Sequence, residues 1–183
     1  MSKPSHGPEI DFAADGIDIL TAMIRHARAH PDRANRPKHI LWNGVAVWTS
    51  FDISAPHEGQ LGLEFLSVAR TPPQGVDMRA EDGAFTLAGG ERVQVLRTWH
   101  DAKYEKTVQY PFATNVGSLK IWNVYHRAWP DGRVTEEKWT GNAGMTVEQL
   151  AESCWVFRCS SGPVPLPDFD QLVFRLTINP GHS

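Results

Sequence analysis

The residues whose types and spacing best suit chemistry lie within residues 118–145, where a tight turn separates two predicted strands. The turn is Trp129-Pro130-Asp131-Gly132-Arg133. Proline fits the second position of a type I turn, and glycine supplies the left-handed residue of the bulge that closes it. Such a turn fixes the register of the hairpin. Because side chains alternate along a strand, the register also determines which residues share a face.

One face of this hairpin combines ionisable and aromatic side chains. The register predicts Tyr125 opposite Glu137 and Asn123 opposite Trp139, with Arg127 on the same face. A carboxylate held among aromatic rings can act as an acid or base near neutral pH, so Glu137, Tyr125 and Arg127 are the candidate catalytic residues. Tyr125 and Asn123 would hydrogen-bond a substrate, Arg127 would clamp an anionic or carbonyl group, and Trp139 would form a wall. The structural alternative is an Arg127–Glu137 ion pair that braces the sheet.

The opposite face of the hairpin carries a second set of candidates. It places Trp122 and His126 together, with His126 predicted opposite Glu136. The sequence does not determine which face points inward, so Trp122 and His126 join Asn123 and Trp139 as candidate ligand-binding residues. The structural interpretation of this face is a cross-strand contact on a solvated surface.

The composition is that of an ordinary globular protein. The chain has 183 residues, 41% of them hydrophobic and 21% charged, which suits one domain over residues 1–183. Its 18 Lys and Arg residues against 21 Asp and Glu residues give a net charge of −3, which predicts no nucleic-acid partner. Two cysteines cannot build a secreted disulfide framework, and no apolar run is long enough for a signal peptide or a membrane span. The expected location is the cytoplasm, with no membrane partner.

Histidines near the first predicted helix superficially resemble metal ligands. His26 and His30 are four residues apart, and His39 follows. Pro31 should end the helix before His30, and no glutamate stands between the first two histidines as the helical zinc motif requires. We therefore predict no metal and no cofactor, and interpret the histidines as the polar end of a helix.

The same region is locally basic. It holds five cationic side chains against one acidic residue, Asp32; they are Arg25, Arg28, Arg33, Arg36 and Lys38. An anion or phosphate site is one interpretation, and a solvated helix face followed by a loop is the favoured one.

A third group of polar residues lies at the end of a predicted strand. Trp99, His100 and Asp101 are followed by Tyr104 and Glu105. Histidine beside acid and phenol groups suits proton transfer. The favoured interpretation is structural, because such residues commonly satisfy backbone groups where a strand enters a turn.

The elements that must position these residues are mostly strands. A helix is predicted over residues 15–29, capped by Asp15, with Leu20 and Ile24 on its packed stripe. Residues 1–13 are expected to be loosely ordered, and residues 38–179 form a β-rich body of nine or ten short strands. A second, short helix is predicted from residue 146, because Thr146 and Gln149 have the spacing of a capping box.

The predicted fold is mainly β, an antiparallel meander closed into a barrel-like body with a helix at each end. Closure hides sheet edges, and a barrel of this size can hold a small ligand. A helix followed by a last strand resembles the layout of calycin-type barrels such as lipocalins. The alternative fold is a two-sheet β-sandwich.

These features lead to a functional hypothesis centred on the hairpin. We expect a protein that binds a small, partly apolar organic molecule and acts on it by metal-free acid/base chemistry, as an isomerase, cyclase or lyase. The first alternative is a small-ligand-binding protein without turnover. The second is a structural or assembly subunit, and self-association is compatible with all three hypotheses.

Overall fold

The computed structural model describes residues 10–101 and 107–180, and within these ranges the fold is mainly β with one α-helix. A 3-10 helix, Ala13–Asp15, precedes α1, Ile19–Ala29. The strands are β1 His39–Trp42, β2 Val45–Trp48, β3 Phe51–Ser54, β4 Glu58–Val68, β5 Gln74–Ala80, β6 Gly83–Thr86, β7 Arg92–Val93, β8 Val95–Trp99, β9 Thr107–Thr114, β10 Ser118–Ala128, β11 Val134–Glu137, β12 Gly144–Ala151, β13 Cys154–Ser160 and β14 Leu172–Pro180.

The strands form two antiparallel sheets. The larger has the order β1-β2-β12-β13-β14-β4-β9-β6-β7, and the smaller has the order β11-β10-β5-β8 with β3 also paired to β10. Among the described residues the outer strands of each sheet do not pair with each other, so the predicted closed barrel is not found. Consecutive strands such as β3, β4 and β5 alternate between the sheets, which a simple meander would not do. The two-sheet alternative describes this arrangement better.

One hydrophobic core joins the two sheets. It contains Leu63 and Phe174 from the larger sheet and Met78 and Ile121 from the smaller one, all fully buried. Because one cluster draws side chains from both sheets, the sheets pack face to face. A smaller cluster packs α1 against β1 and β2.

Helix α1 ends where the sequence predicts, but it begins later and presents another face. Its cap is Asp18, whose Oδ1 accepts a hydrogen bond of 2.7 Å from the backbone N–H of Thr21. Ile19 is buried, whereas Leu20 and Ile24 are 37% and 43% exposed. The buried stripe is therefore rotated from the predicted one, because the periodic pattern of this short helix does not distinguish between neighbouring apolar stripes.

The predicted second helix is wrong, because residues 144–151 form β12. This strand pairs with β13 from Gly144 opposite Ser160 onward, and Met145 is fully buried against the core. Thr146 and Gln149 have capping-box spacing but lie within the strand. Pairing with β13 and β2 stabilises the extended conformation more than the local capping pattern stabilises a helix.

The beginning of the described chain is packed. Residues 1–9 of the predicted loose segment lie outside the described residues, but Phe12 is buried and its N–H donates to the carbonyl of Leu41 at 3.1 Å.

Cys154 and Cys159 both have free thiols. Across residues 10–101 and 107–180, no helix has the length and apolar character needed to cross a membrane.

Candidate functional site

The hairpin formed by β10 and β11 has the predicted register. Tyr125 lies opposite Glu137 and His126 lies opposite Glu136. The turn closes with a 2.8 Å hydrogen bond from the N–H of Trp129 to the carbonyl of Arg133. Gly132 has a φ of +84°, which is the left-handed conformation that the turn requires of glycine.

The pairing of β10 with β5 determines which face of the hairpin points inward. Ile121 lies opposite Met78 in the core, so residues at odd positions of β10 face the larger sheet. Asn123 and Tyr125 share this inner face and are 1% and 0% exposed. Trp122 lies on the outer face of the smaller sheet, as does His126.

Trp139 does not join the inner face as predicted. Strand β11 ends at Glu137, and Trp139 has a φ of +59°, so the extended register does not reach Asn123. Trp139 instead packs beside Trp122, with 5.7 Å between the ring centroids, and is 41% exposed. The prediction that Trp139 lies opposite Asn123 is therefore wrong, because it assumed an extended chain through Lys138.

The proposed catalytic residues form a hydrogen-bonded chain. The hydroxyl oxygens of Tyr125 and Thr140 are 2.6 Å apart, and Thr140 Oγ1 donates to Glu137 Oε2 at 2.9 Å. Since the one Thr140 hydroxyl proton points to Glu137, Tyr125 donates to Thr140. Glu137 also accepts a bond of 3.1 Å from Thr135 Oγ1, and Arg127 Nη1 lies 3.5 Å from its carboxylate. Both oxygens of the Glu137 carboxylate therefore have partners.

The environment of Tyr125 keeps its phenol protonated. Burial raises the pKa of Tyr125, and the negative charge of Glu137 raises it further, against the hydrogen bonds between its hydroxyl and Thr140 and Gly162, which lower it. A protonated phenol is a hydrogen-bond donor at neutral pH. The Tyr125–Thr140–Glu137 chain thus ties the end of the hairpin to the segment after β11.

The tie predicts a measurable contribution to stability. Tyr125→Phe should lower the free energy of unfolding by about 1–2 kcal/mol, because it removes the hydrogen bonds of the buried hydroxyl and keeps the ring. Thr140→Ser keeps the hydroxyl and should change stability by less than about 0.5 kcal/mol. Urea unfolding measures both variants. Equal stability of Tyr125→Phe and the wild type would show that the phenol does not brace the hairpin.

Several polar side chains line the inner face of the smaller sheet beside Tyr125. We call Gln74, Thr98, His100, Asn123 and Tyr125 the inner polar cluster. Gln74 lies opposite Tyr125, and the N–H of His100 donates to the carbonyl of Gln74 at 3.0 Å. Asn123 and Thr98 lie in the next row, on either side of β5. The register thus brings five polar residues from three strands between the sheets.

Contacts from this cluster reach the larger sheet. Asn123 Nδ2 donates to the carbonyl of Ser160 at 2.9 Å, and the hydroxyl oxygens of Thr98 and Tyr110 are 3.1 Å apart. The His100 ring packs edge-on against Phe65, with 5.3 Å between centroids. The cluster therefore sits at the boundary between an apolar core and a polar end of the interior.

Three buried polar atoms of the cluster have no hydrogen-bond partner among residues 10–101 and 107–180. They are Nε2 and Oε1 of Gln74, and Oδ1 of Asn123. Gln74 is 1% exposed. Each unsatisfied buried group costs about 1–3 kcal/mol, so an amide with neither atom paired is unusual in a folded protein. The Gln74 amide can donate and accept at once, which makes it the strongest recognition element on this face.

The outer face of the smaller sheet holds a buried carboxylate. The side chain of Asp77 is 1% exposed. Arg97 donates two hydrogen bonds to its carboxylate, from Nε at 2.6 Å and from Nη2 at 2.7 Å. The indole N–H of Trp122 donates to the same carboxylate at 3.0 Å. Arg97 also bonds Glu136 of β11. This network links β11, β10, β5 and β8 across the whole small sheet.

Aromatic rings cover this outer network. His126 lies 4.4 Å from the Trp99 ring and 3.8 Å from Glu136, which matches the predicted cross-strand contact. Lys138 lies over Trp122 and Trp139, at 5.2 and 4.7 Å from their centroids. The charged groups here are paired with each other, so the outer face acts as a brace of the sheet.

Sequence reasoning missed Gln74, Asp77 and Arg97. None of them belongs to a local motif. They reach the candidate site only because β5 pairs with β10 and with β8. The contacts of Asp77 with Trp122 and Arg97 join residues that are 45 and 20 positions apart in the sequence. An alternating pattern in β5 with a polar residue at an inward position was the only local signal.

The remaining candidates are placed elsewhere. His26 Nε2 lies 3.1 Å from the carbonyl of Pro37, and within the described ranges no three His, Cys, Asp or Glu residues are grouped to hold a metal ion. Trp99 faces outward and His100 inward, so they do not act together, while Tyr104 and Glu105 lie outside the described residues. Three surface concavities are lined by described residues, and the one that includes Lys120 of β10 is analysed below.

Comparison with known proteins adds no assignment: no protein-family model matches the chain, and no curated protein or solved structure shows significant similarity to it.

Proposed function

We propose that the protein binds a small organic molecule between its two sheets, at the inner polar cluster. The observation that carries this proposal is the buried Gln74 amide, whose donor and acceptor both lack a partner in the part of the chain that the structure describes. Asn123 Oδ1 supplies a second unused acceptor on the same face. A ligand that pairs with these atoms recovers the desolvation cost that the unliganded protein bears.

The surroundings define the chemistry of the ligand. The Gln74 amide is complementary to a group with an adjacent donor and acceptor, such as a primary amide or a protonated carboxylic acid. Phe65, Val76 and the ring of Tyr125 supply apolar walls near it. Mostly apolar lining with a few fixed polar groups is typical of ligand sites. The expected ligand is therefore neutral, with an amide-like head and a small apolar body.

Benzamide is the probe for this site, because it has an amide head on an apolar ring. At tenfold excess over the dissociation constant, it should raise the thermal midpoint of the wild type by about 3–6 °C. The Gln74→Leu variant should show no shift with benzamide. Gln60→Leu, which changes an exposed glutamine of β4, should respond as the wild type does. No shift in the wild type, or the same shift in Gln74→Leu, contradicts the proposal.

Acid/base turnover by Glu137, with Tyr125 and Arg127, is the second candidate function. The chain from Tyr125 through Thr140 to Glu137 favours it, since hydrogen bonds of 2.6 and 2.9 Å form a path for a proton between the interior and the rim. The test is deuterium incorporation into phenylacetone in D2O, followed by NMR. Exchange above the buffer rate should disappear in Glu137→Gln, and exchange that persists in this variant removes Glu137 from the reaction.

A further inference from the structure

A concavity of about 390 Å³ lies between the end of α1, the connection to β1, and strands β3 and β10. Its lining is Met23, His26, Ala27, Arg33, Arg36, Pro37, Lys38, Ser50, Asp52 and Lys120. The locally basic segment of the sequence thus folds around a hollow instead of spreading over a flat surface.

The charges that line this concavity do not cancel, although Lys120 also lies 3.9 Å from Glu81 outside the lining. Four cationic side chains line it, and Asp52 is the one carboxylate in the lining. Lys38 and Lys120 both bond Asp52, at 2.6 and 3.1 Å. Burial acts to raise the pKa of Asp52, but the hydrogen bonds from these two lysines hold it below its usual value. Asp52 is therefore ionised and already shared by two cations.

The two arginines of the lining keep donors available. The Nε of Arg36 donates to the carbonyl of His30 at 2.7 Å, and no hydrogen bond in the described residues uses its Nη atoms. The Arg33 guanidinium makes no hydrogen bond or ion pair with any described residue. The carboxylate of Asp32 lies near Arg36 but is held by Asn35 and by the backbone N–H of Ala34. A planar guanidinium with free Nη donors matches the oxygens of a phosphate.

The apolar part of the lining indicates that the ligand has more than a phosphate. Met23, Ala27 and Pro37 lie beside the arginines, and the hollow is much larger than one inorganic anion. His26 contributes shape and little charge, because burial lowers its pKa more than the hydrogen bond between its Nε2 and the Pro37 carbonyl raises it. The site therefore offers a cationic end and an apolar wall.

We propose that this concavity binds a small phosphate monoester, with the phosphate on Arg33 and Arg36 and the organic group against Met23, Ala27 and Pro37. The phosphate carries close to two negative charges at neutral pH, which offset the excess positive charge of the lining. The site is separate from the inner polar cluster, so the proposal stands independently of ligand binding between the sheets.

Phenyl phosphate and inorganic phosphate are the probes, titrated into the full chain by calorimetry at a constant ionic strength of 150 mM. Phenyl phosphate should bind more tightly than inorganic phosphate, because only it reaches the apolar wall. Arg33→Gln and Arg36→Gln should each weaken phenyl phosphate binding about 10-fold. Arg33→Gln is the more selective test of the two, since the side chain has no partner within the described residues to lose on substitution.

Arg28→Gln is the matched control, because Arg28 is an exposed arginine of the neighbouring helix α1 and lies outside the lining. Its affinity should stay within about twofold of the wild type. Gln74→Leu should also bind phenyl phosphate normally, which separates this site from the proposed interior one. Absence of phenyl phosphate binding, or equal weakening by Arg28→Gln and Arg33→Gln, overturns the proposal.

Discussion

The Gln74→Leu protein should be more stable than the wild type, by about 1–3 kcal/mol in the free energy of unfolding. Most buried substitutions destabilise a protein, so the expected sign is itself informative. Gln74 is 1% exposed, and neither polar atom of its amide has a partner among the described residues. Leucine has a similar volume and no polar atoms, so it removes the cost of burying an unpaired amide without opening a large cavity.

Urea unfolding measures this gain, with Gln60→Leu as the control. Gln60 is exposed, and its replacement should change the free energy of unfolding by less than about 0.5 kcal/mol. If Gln74→Leu destabilises the protein, the amide has partners in solution and is not available to a ligand. A gain in stability together with a loss of benzamide binding is the pattern of a functional residue retained at the expense of stability.

Arg97→Ala should lower the free energy of unfolding by about 3 kcal/mol, a large loss for a side chain that is partly exposed. It leaves the Asp77 carboxylate buried, at 1% exposed, with the Trp122 indole as its remaining partner. We place the value at the lower end of the range for broken buried pairs, because the Arg97 side chain is 33% exposed and water can replace part of it.

The double variant Asp77→Leu/Arg97→Met separates the unpaired charge from the loss of packing. It should unfold only about 1 kcal/mol more readily than the wild type, since no charge is left buried and only the Trp122 N–H loses its acceptor. Guanidinium chloride unfolding of the single and double variants completes the cycle. A double variant as unstable as Arg97→Ala would show that packing, and not the buried Asp77 charge, causes the loss.

The parts of the fold that were predictable depend on local chemistry. The turn around Gly132 fixed the register of Tyr125 opposite Glu137, because a glycine bulge permits one closure of the hairpin. Pro31 ended α1 at Ala29, since a residue before proline avoids helical geometry. Both signals act over a few residues, and tertiary contacts did not override them.

The parts that failed depend on contacts distant in sequence. Thr146 and Gln149 have the spacing of a helix cap, but pairing with β13 and β2 makes this segment a strand. Trp139 leaves the predicted face because the chain takes a left-handed conformation at this residue. Position 139 is neither glycine nor asparagine, the residues that commonly indicate this conformation in a sequence. A propensity of a few tenths of a kcal/mol per residue is smaller than the energy of a paired, buried strand.

The architecture was predicted in its class and not in its topology. Alternating strands correctly indicate a mainly β chain with antiparallel pairing. They do not indicate that β4 pairs with β14, more than one hundred residues later, while β5 pairs with β10. The choice of partner also decides the site: Gln74 reaches Tyr125 only through the β5–β10 pair. Sequence reasoning therefore grouped Asn123 with Tyr125, placed His100 in a separate group and missed Gln74 and Thr98.

The side-chain amide of Gln74 gives the most direct test of binding between the sheets. In protein labelled with 15N, its two N–H resonances can be assigned by their loss in Gln74→Leu and followed by NMR during titration with benzamide. Binding at the inner polar cluster predicts that these resonances shift and saturate together with the thermal midpoint, while the side-chain amide of exposed Gln60 stays constant. Gln74 resonances that do not move at saturating benzamide would contradict the proposed site.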